Sequence, residues 1–226
     1  MFGEGTPFDL QMHLARIPIR VIPTFWLMAA VLGWDPDRLD LVFLWVMCVF
    51  GSILFHEMGH ALTAMAFGYD PHIVLYHFGG YAAFFPDREL TPLKSLLITL
   101  AGPLPQLALG LATVAALLLT KGWADQHLEP KSAEYLEFTL IFLITINVGW
   151  SLMNLLPVLP LDGGQATQAV FAGLGVRDPV DWALKLSVLV GALTTAALFH
   201  FNIRSTALLF LLLTVQNVQA LQARRW

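Results

Sequence analysis

The chain has 226 residues, of which 57% are hydrophobic and only 12% are charged. Soluble domains carry about 25% charged residues, so this composition indicates an integral membrane protein in a lipid bilayer. The formal net charge is −4 and no basic run is present, so nucleic acid is not an expected partner. The single cysteine, Cys48, excludes an internal disulfide and a cysteine-rich metal site.

The N-terminal segment is polar before the first apolar run begins. Its first twenty residues include Glu4, Asp9, Arg16 and Arg20 and have no apolar centre, so we do not expect a cleavable signal peptide. The first predicted span runs from about Val21 to Gly33. A spanning helix needs about 20 apolar residues, so this short span is expected to be tilted or partly interfacial.

The second predicted span, Leu41 to Phe67, contains the motif His56-Glu57-Met58-Gly59-His60. Residues four apart lie on one face of a helix, so both imidazoles should project in the same direction. Two imidazoles at this spacing can hold a zinc ion, and Glu57 between them can act as a general base. Ionisable side chains are costly within a membrane span, which favours a functional role for all three.

An aromatic and β-rich segment, Ile73 to Phe85, follows the motif and is broken by Gly79-Gly80. It is too short to span a membrane as a helix, and its pattern is typical of a β-hairpin. Open strand edges are not tolerated against lipid at membrane depth, so the hairpin should lie at the interface or line a cavity.

The third predicted span, Leu93 to Thr120, contains Pro103 and Pro105, which should kink or interrupt it. The later predicted elements are a polar loop at Lys121 to Glu137, a fourth span at Phe138 to Leu159, an amphipathic connection at Gln165 to Asp181, and two further spans at Trp182 to Phe199 and Ser205 to Ala220. The sequence therefore predicts an all-α polytopic membrane protein with about six transmembrane helices and a short membrane-associated β-hairpin after the second. We expect a single domain over residues 1–226, with no appended soluble module.

A third metal ligand is needed, because a catalytic zinc takes three protein ligands and keeps one position open. Asp162 is the best candidate. Pro157 and Pro160 stop the fourth helix, and Gly163-Gly164 permit sharp backbone turns, so Asp162 can point into the protein. The alternative is an ordinary turn aspartate.

Asn154 lies near the end of the fourth span, where an amide needs hydrogen-bonding partners. It could donate to a developing oxyanion, or it could bind a neighbouring helix. Asn147, seven residues earlier on nearly the same face, is better explained by helix packing.

Taken together, these motifs resemble the site-2 protease family of intramembrane zinc metalloproteases. The residues that carry the resemblance are the His56 to His60 motif, Ala101-Gly102-Pro103, the stretch from Asn154 to Gly164, and the Arg16 to Arg20 segment. The resemblance implies a six-helix, cytoplasm-proximal arrangement and one zinc per chain. It implies His56, His60 and Asp162 as the ligands, Glu57 as the catalytic base, and Asn154 as a residue that contacts the substrate or the transition state.

The implied reaction is hydrolysis of a peptide bond within or next to the transmembrane segment of a single-pass membrane protein. Gln106 stands where the family commonly has Asn, and Gln165 where Arg often follows the two glycines, which affects substrate details rather than zinc. The PDZ and CBS domains of many relatives are not seen in this sequence. A zinc-binding membrane transporter and a non-proteolytic scaffold remain open, and the oligomeric state is undetermined.

The distribution of positive charge favours a cytoplasmic N-terminus in the cell inner or plasma membrane. With six spans, eight lysine and arginine residues would face the cytoplasm and four the other side. His56 would then lie about 22 Å into the second span, within a hydrocarbon core of about 30 Å but nearer the cytoplasm. The cytoplasmic set comprises Arg16, Arg20, Arg88, Lys94, Arg177, Lys185, Arg224 and Arg225, and the opposite set Arg38, Lys121, Lys131 and Arg204.

Overall fold

The computed structural model describes residues 6–77, 79–84 and 90–224. Arg88 and Arg225, which enter the charge count, and Phe85 at the end of the predicted hairpin lie outside these residues. Within the described ranges the elements are β1 (Leu10–Leu14), β2 (Ile17–Val21), α1 (Pro23–Leu32), α2 (Leu39–Ala66), β3 (His72–Tyr76), β4 (Gly79–Ala83), α3 (Pro92–Leu100), α4 (Pro103–His127), α5 (Pro130–Asn154), α6 (Asp162–Gly173), α7 (Pro179–His200) and α8 (Arg204–Ala223).

The predicted helical membrane protein is confirmed, with five long spans and a short helix, α1, where the first span was expected. Five apolar stretches in the described residues are long enough to cross a membrane: Leu39–Ala66, Pro92–Thr120, Pro130–Asn154, Pro179–His200 and Arg204–Ala223. Helix α1 has only 10 residues, which is about 15 Å at 1.5 Å per residue and half of a typical hydrocarbon core. The first expected span is therefore shorter than a crossing helix.

Two predicted connections are largely helical. The polar loop expected at Lys121 to Glu137 is divided between the end of α4 and the start of α5, and only residues 128 and 129 lie between these helices. Its Lys, Ala, Gln and Glu residues are good helix formers, so loss of hydrophobicity marks the end of the apolar span and not the end of the helix. The connection expected at Gln165 to Asp181 contains most of α6.

The predicted hairpin is present as β3 and β4, which pair antiparallel, but it belongs to a larger sheet. The four described strands follow the order β1-β2-β3-β4, with β1 and β2 antiparallel and β2 and β3 parallel. The inner face of the sheet shares one hydrophobic core with α1 and α2. Its buried members include Ile17, Ile19, Val21, Ile73 and Leu75 from the strands and Phe25, Val49, Ile53 and Ala61 from the helices.

The chain divides into two compact units. The described part of the first unit lies within residues 6–84 and 104–151, so it holds the sheet, α1, α2 and nearly all of α4 and α5. In this unit, a Cβ atom at Gly110 of α4 would lie 2.7 Å from Val148 Cγ2 and 3.0 Å from the Val148 backbone nitrogen. The glycine therefore allows α4 and α5 to approach closely. The described part of the second unit, within residues 90–103 and 152–224, holds α3 and α6 to α8.

Candidate metal centre

Helix α2 carries His56, Glu57 and His60 on buried positions, with 3%, 4% and 8% of each residue exposed. The Nε2 atoms of His56 and His60 lie 3.1 Å apart. Two nitrogens that bind one tetrahedral zinc at the usual bond length of about 2.0–2.1 Å would be separated by about 3.3 Å. The pair of imidazoles therefore has the spacing of two ligands on one metal ion, as the i, i+4 pattern predicts.

A hydrogen-bond network fixes the other side of the His56 ring. His56 Nδ1 lies 2.8 Å from Gln106 Oε1, and Ser151 Oγ donates to the same oxygen at 3.1 Å. Gln106 Nε2 donates to the backbone carbonyl of Ser52 at 3.2 Å. From the sequence, Gln106 was expected to affect only substrate details. The sequence did contain a signal for this network, because an amide inside an apolar helix needs hydrogen-bonding partners.

Strand β4 runs directly against the side chain of Glu57. A Cβ atom at Gly80 would lie 2.7 Å from Glu57 Cγ and 2.9 Å from Glu57 Oε1, so only a glycine fits at this position without displacement. Burial raises the pKa of the Tyr76 hydroxyl on β3, and the nearby Glu57 carboxylate adds to the rise. The β3–β4 hairpin and the motif on α2 are thus neighbours within the first unit.

Asp162 is the first residue of α6 and is half-buried. The preceding turn is held by hydrogen bonds to Leu159, whose backbone nitrogen donates to Ser187 Oγ at 2.9 Å and whose carbonyl accepts from Asn217 Nδ2 at 2.7 Å. These bonds anchor the backbone three residues before Asp162. They come from two polar residues on α7 and α8 that sequence reasoning did not single out.

The two glycines after Asp162 are required for a different reason than expected. Gly163 and Gly164 lie within α6 and have no positive φ, so they do not form a sharp turn. A Cβ at Gly163 would collide with the carbonyl oxygens of Leu155 and Leu156, and one at Gly164 would lie 2.5 Å from the Leu159 backbone nitrogen. They allow α6 to pack against the preceding turn.

The two asparagines of α5 differ in their surroundings. Asn147 Nδ2 donates to the Leu143 carbonyl one turn earlier in its own helix, and its expected role in packing against another helix stays a prediction. Asn154 is the last residue of α5 and is 8% exposed. Its predicted contact with a substrate or an oxyanion stays a prediction.

Among the described residues, His56 and His60 of the first unit offer two imidazole nitrogens for one metal ion, and Asp162, in the second unit, offers a carboxylate whose role as third ligand stays a prediction. Imidazole nitrogens and a carboxylate oxygen are common ligands of catalytic zinc. The donor set therefore fits the metal that the sequence predicts.

The five apolar spans and the buried histidine pair define a multi-pass membrane protein with a metal-type site on a membrane helix. Residues 44–134 and 125–198 match the model of peptidase family M50, which is more than half of the chain. The chain belongs to this family, and the resemblance found in the sequence is confirmed.

Individual relatives agree with the family match. Rip3 of Mycobacterium tuberculosis, which its name describes as a candidate zinc metalloprotease, is 31% identical over 174 residues, covering 74% of this chain and 42% of Rip3. Stage IV sporulation protein FB of Bacillus subtilis is 29% identical over 158 residues, covering 69% of this chain and 48% of that protein. The chain thus spans less than half the length of these curated relatives.

Among solved structures, the fold is similar to that of a site-2 protease from Methanocaldococcus jannaschii. The TM-score is 0.55, the sequences are 20% identical, and the match covers 95% of each chain. At this identity the likeness concerns the fold.

Replacing Gly80 with alanine should displace either β4 or the Glu57 side chain, because the added Cβ overlaps both Glu57 and Leu75. We expect any peptide cleavage that depends on Glu57 to fall on the order of 10²-fold, which is the usual cost of moving a reacting group by about 1 Å. Metal content should be retained, since the histidine pair lies on α2. Activity is measured on a membrane substrate and metal content by elemental analysis.

Gly51→Ala is the matched control. Gly51 lies on α2, the helix that carries the motif, and a Cβ at this position would meet nothing within 4 Å. It should leave activity unchanged. Wild-type cleavage by Gly80→Ala would mean that the close approach of β4 to Glu57 has no functional consequence.

Proposed function

We propose that this protein is an intramembrane zinc metalloprotease that hydrolyses a peptide bond within or next to a transmembrane segment of a membrane-protein substrate. The observation that carries the proposal is the convergence of His56 Nε2 and His60 Nε2 at 3.1 Å, with Glu57 between them, in a buried part of an apolar helix. Membership of peptidase family M50 and similarity to Rip3, which is named as a zinc metalloprotease, support the same function.

In this proposal one zinc is held by His56, His60 and Asp162. The 3.1 Å spacing of the two imidazole Nε2 atoms and the chemistry of the three donor groups support the assignment. A bound zinc polarises the scissile carbonyl and lowers the pKa of a water to roughly 7. Asp162 begins α6, and the bonds to Leu159 hold the turn before it, which favours a fixed position for the carboxylate.

Glu57 is the general base. Its carboxylate takes the proton from the attacking water and returns it to the amine that leaves. Asn154 donates an amide N–H to the oxygen of the tetrahedral intermediate. Because Glu57 and Asn154 are both buried, little bulk water competes for these interactions.

Glu57→Gln should keep bound zinc and lose cleavage, because glutamine keeps the shape of the side chain and cannot accept the proton. We expect a fall of about 10²–10⁴-fold, the usual contribution of a general base. The measurement is cleavage of a single-pass membrane substrate in reconstituted vesicles, alongside zinc content. A chelator should abolish wild-type cleavage, and added zinc should restore it.

Glu129→Gln, at an exposed position between α4 and α5, is the control for the same chemical change. Normal turnover by Glu57→Gln would refute the assigned base. The alternative of a zinc-binding transporter, which does not need a carboxylate between the two histidines, would be favoured if wild type and Glu57→Gln both bound zinc and neither cleaved the substrate.

We further propose that the substrate binds as an added strand on β4. A helical substrate hides its carbonyls in i→i−4 hydrogen bonds, so its cleaved segment must unwind and find new partners. Strand β4 is last in the order of the described strands, and its backbone at Gly80 lies against Glu57. An extended segment paired there would be delivered beside the general base.

Proline substitutions at two adjacent positions of β4 test this pairing. Successive N–H groups of a strand point to opposite sides. One of Tyr81→Pro and Ala82→Pro therefore removes a donor on the β3 side, and the other removes a donor on the open side. The open-side proline should reduce cleavage while zinc content and melting temperature are preserved.

The proline on the β3 side should lower the melting temperature, which identifies it independently of activity. Tyr81→Ala controls for loss of the ring. Undiminished cleavage by the open-side proline would rule out strand addition.

We also propose a cytoplasmic N-terminus in the cell inner or plasma membrane, on the basis of the charge distribution and with α1 counted as a sixth crossing despite its 10 residues. In a Cys48→Ala background, Glu129→Cys should react with a membrane-impermeant thiol reagent in intact cells. Arg177→Cys, between α6 and α7, should react only after permeabilisation. Both positions are exposed, and the reverse pattern of labelling would overturn the orientation.

A further inference from the structure

Gln106 is fully buried on α4, inside a segment apolar enough to span a membrane. An amide in such surroundings is costly unless its polar atoms are hydrogen-bonded. Gln106 meets this condition through three contacts within the first unit: Oε1 to His56 Nδ1, Oε1 from Ser151 Oγ, and Nε2 to the Ser52 carbonyl. Two of its three partners lie on α2, on the helix of the histidine pair.

The network determines which way the amide faces and which nitrogen of His56 carries the proton. The Ser52 carbonyl can only accept, so Gln106 Nε2 points to it and Oε1 points to His56. An amide oxygen can only accept, so His56 Nδ1 must donate. In the neutral ring this leaves the Nε2 lone pair on the side of His60 Nε2.

The packing of α4 against α5 is arranged to complete this network. Gly110 lies one turn after Gln106 on the same face of α4, and its lack of a side chain lets the backbone of Val148 approach. Ser151 lies three residues after Val148 on the same face of α5. In this way the close approach at Gly110 brings the Ser151 hydroxyl to within 3.1 Å of Gln106 Oε1.

We propose that Gln106 is a positioning residue of the metal centre, which holds His56 in the tautomer and ring orientation that present Nε2 to zinc. The inference rests on the proposed role of His56 as a ligand. Hydrogen-bond acceptors behind ligating histidines commonly change metal affinity by 10–100-fold. Gln106 thus acts on zinc through His56, and not on the substrate.

The test compares two substitutions of Gln106 that differ in the acceptor. Gln106→Met keeps the length of the side chain and removes the acceptor, so zinc should bind roughly 10–100-fold more weakly. Gln106→Glu keeps an acceptor for the Nδ1 proton and should restore affinity to within a few-fold of wild type. The dissociation constant is measured by chelator competition on the purified full chain in detergent, together with the melting temperature of the metal-free protein.

Thr113→Val is the matched control. Thr113 is buried on the same face of α4, but its hydroxyl donates only to the Leu109 carbonyl of its own helix in the described contacts, at 2.8 Å. Its substitution should leave zinc affinity unchanged. Equal losses of affinity in Gln106→Met and Gln106→Glu would show a packing role and overturn the inference.

His56→Ala separates this inference from the proposed zinc site. If His56→Ala binds zinc like the wild type, the ligand assignment itself fails. If His56→Ala loses zinc and Gln106→Met does not, only the positioning role is wrong. Should Gln106→Met fail to fold, Ser151→Ala removes the second donor to Gln106 Oε1 and should weaken zinc binding about two- to ten-fold. Unchanged affinity in Ser151→Ala would then overturn the inference.

Discussion

The first unit depends on one constraint, which is that polar side chains buried in an apolar helix must be hydrogen-bonded. Helix α2 buries two imidazoles and a carboxylate in a segment where lipid and apolar side chains offer no partners. The hydrogen bond from His56 Nδ1 to Gln106 Oε1 supplies one such partner from α4. Gln106 in turn is hydrogen-bonded by Ser151 and by the Ser52 carbonyl. Burying His56 therefore calls for polar partners on α2, α4 and α5. The metal site and the packing of these three helices therefore depend on each other.

Close backbone approach is the second requirement, and it explains three glycines far apart in the chain. Gly80 brings β4 onto Glu57, Gly110 brings α5 onto α4, and Gly163 brings α6 onto the turn that follows α5. None of the three needs glycine for a sharp turn at its own position in a helix or strand; each needs the absence of a Cβ. An alanine would be tolerated by the local backbone of α4 or α6, but it would separate the two elements that meet there. Gly51 and Gly149 differ from these three glycines, because a Cβ at either position would meet nothing within 4 Å.

The long helices and the histidine pair could be predicted from the sequence because their signals are local. Hydrophobic runs identify the spans, and the i, i+4 spacing alone predicts that His56 and His60 converge. The β1–β2 hairpin could not be predicted in this way. Its turn residues, Ala15 and Arg16, adopt positive φ without the glycine or asparagine that normally announces such a turn. Pro18 within β2 also argues against a strand. The burial of Ile17, Ile19 and Val21 against α1 and α2 outweighs these local preferences.

The hydrogen-bond partners of the histidine pair could not be predicted from the sequence, and Gln106 shows why. In the sequence it is a polar residue 50 positions from His56, and only the packing of α4 beside α2 gives the amide its partner. Its longer side chain, where the family commonly has asparagine, changes the reach of the amide by one methylene group. Under the proposed positioning role, a departure at this position affects the His56 ring before it affects the substrate. Which residue can hydrogen-bond to a histidine ring depends on the distance between two helices. A local sequence pattern does not contain that distance.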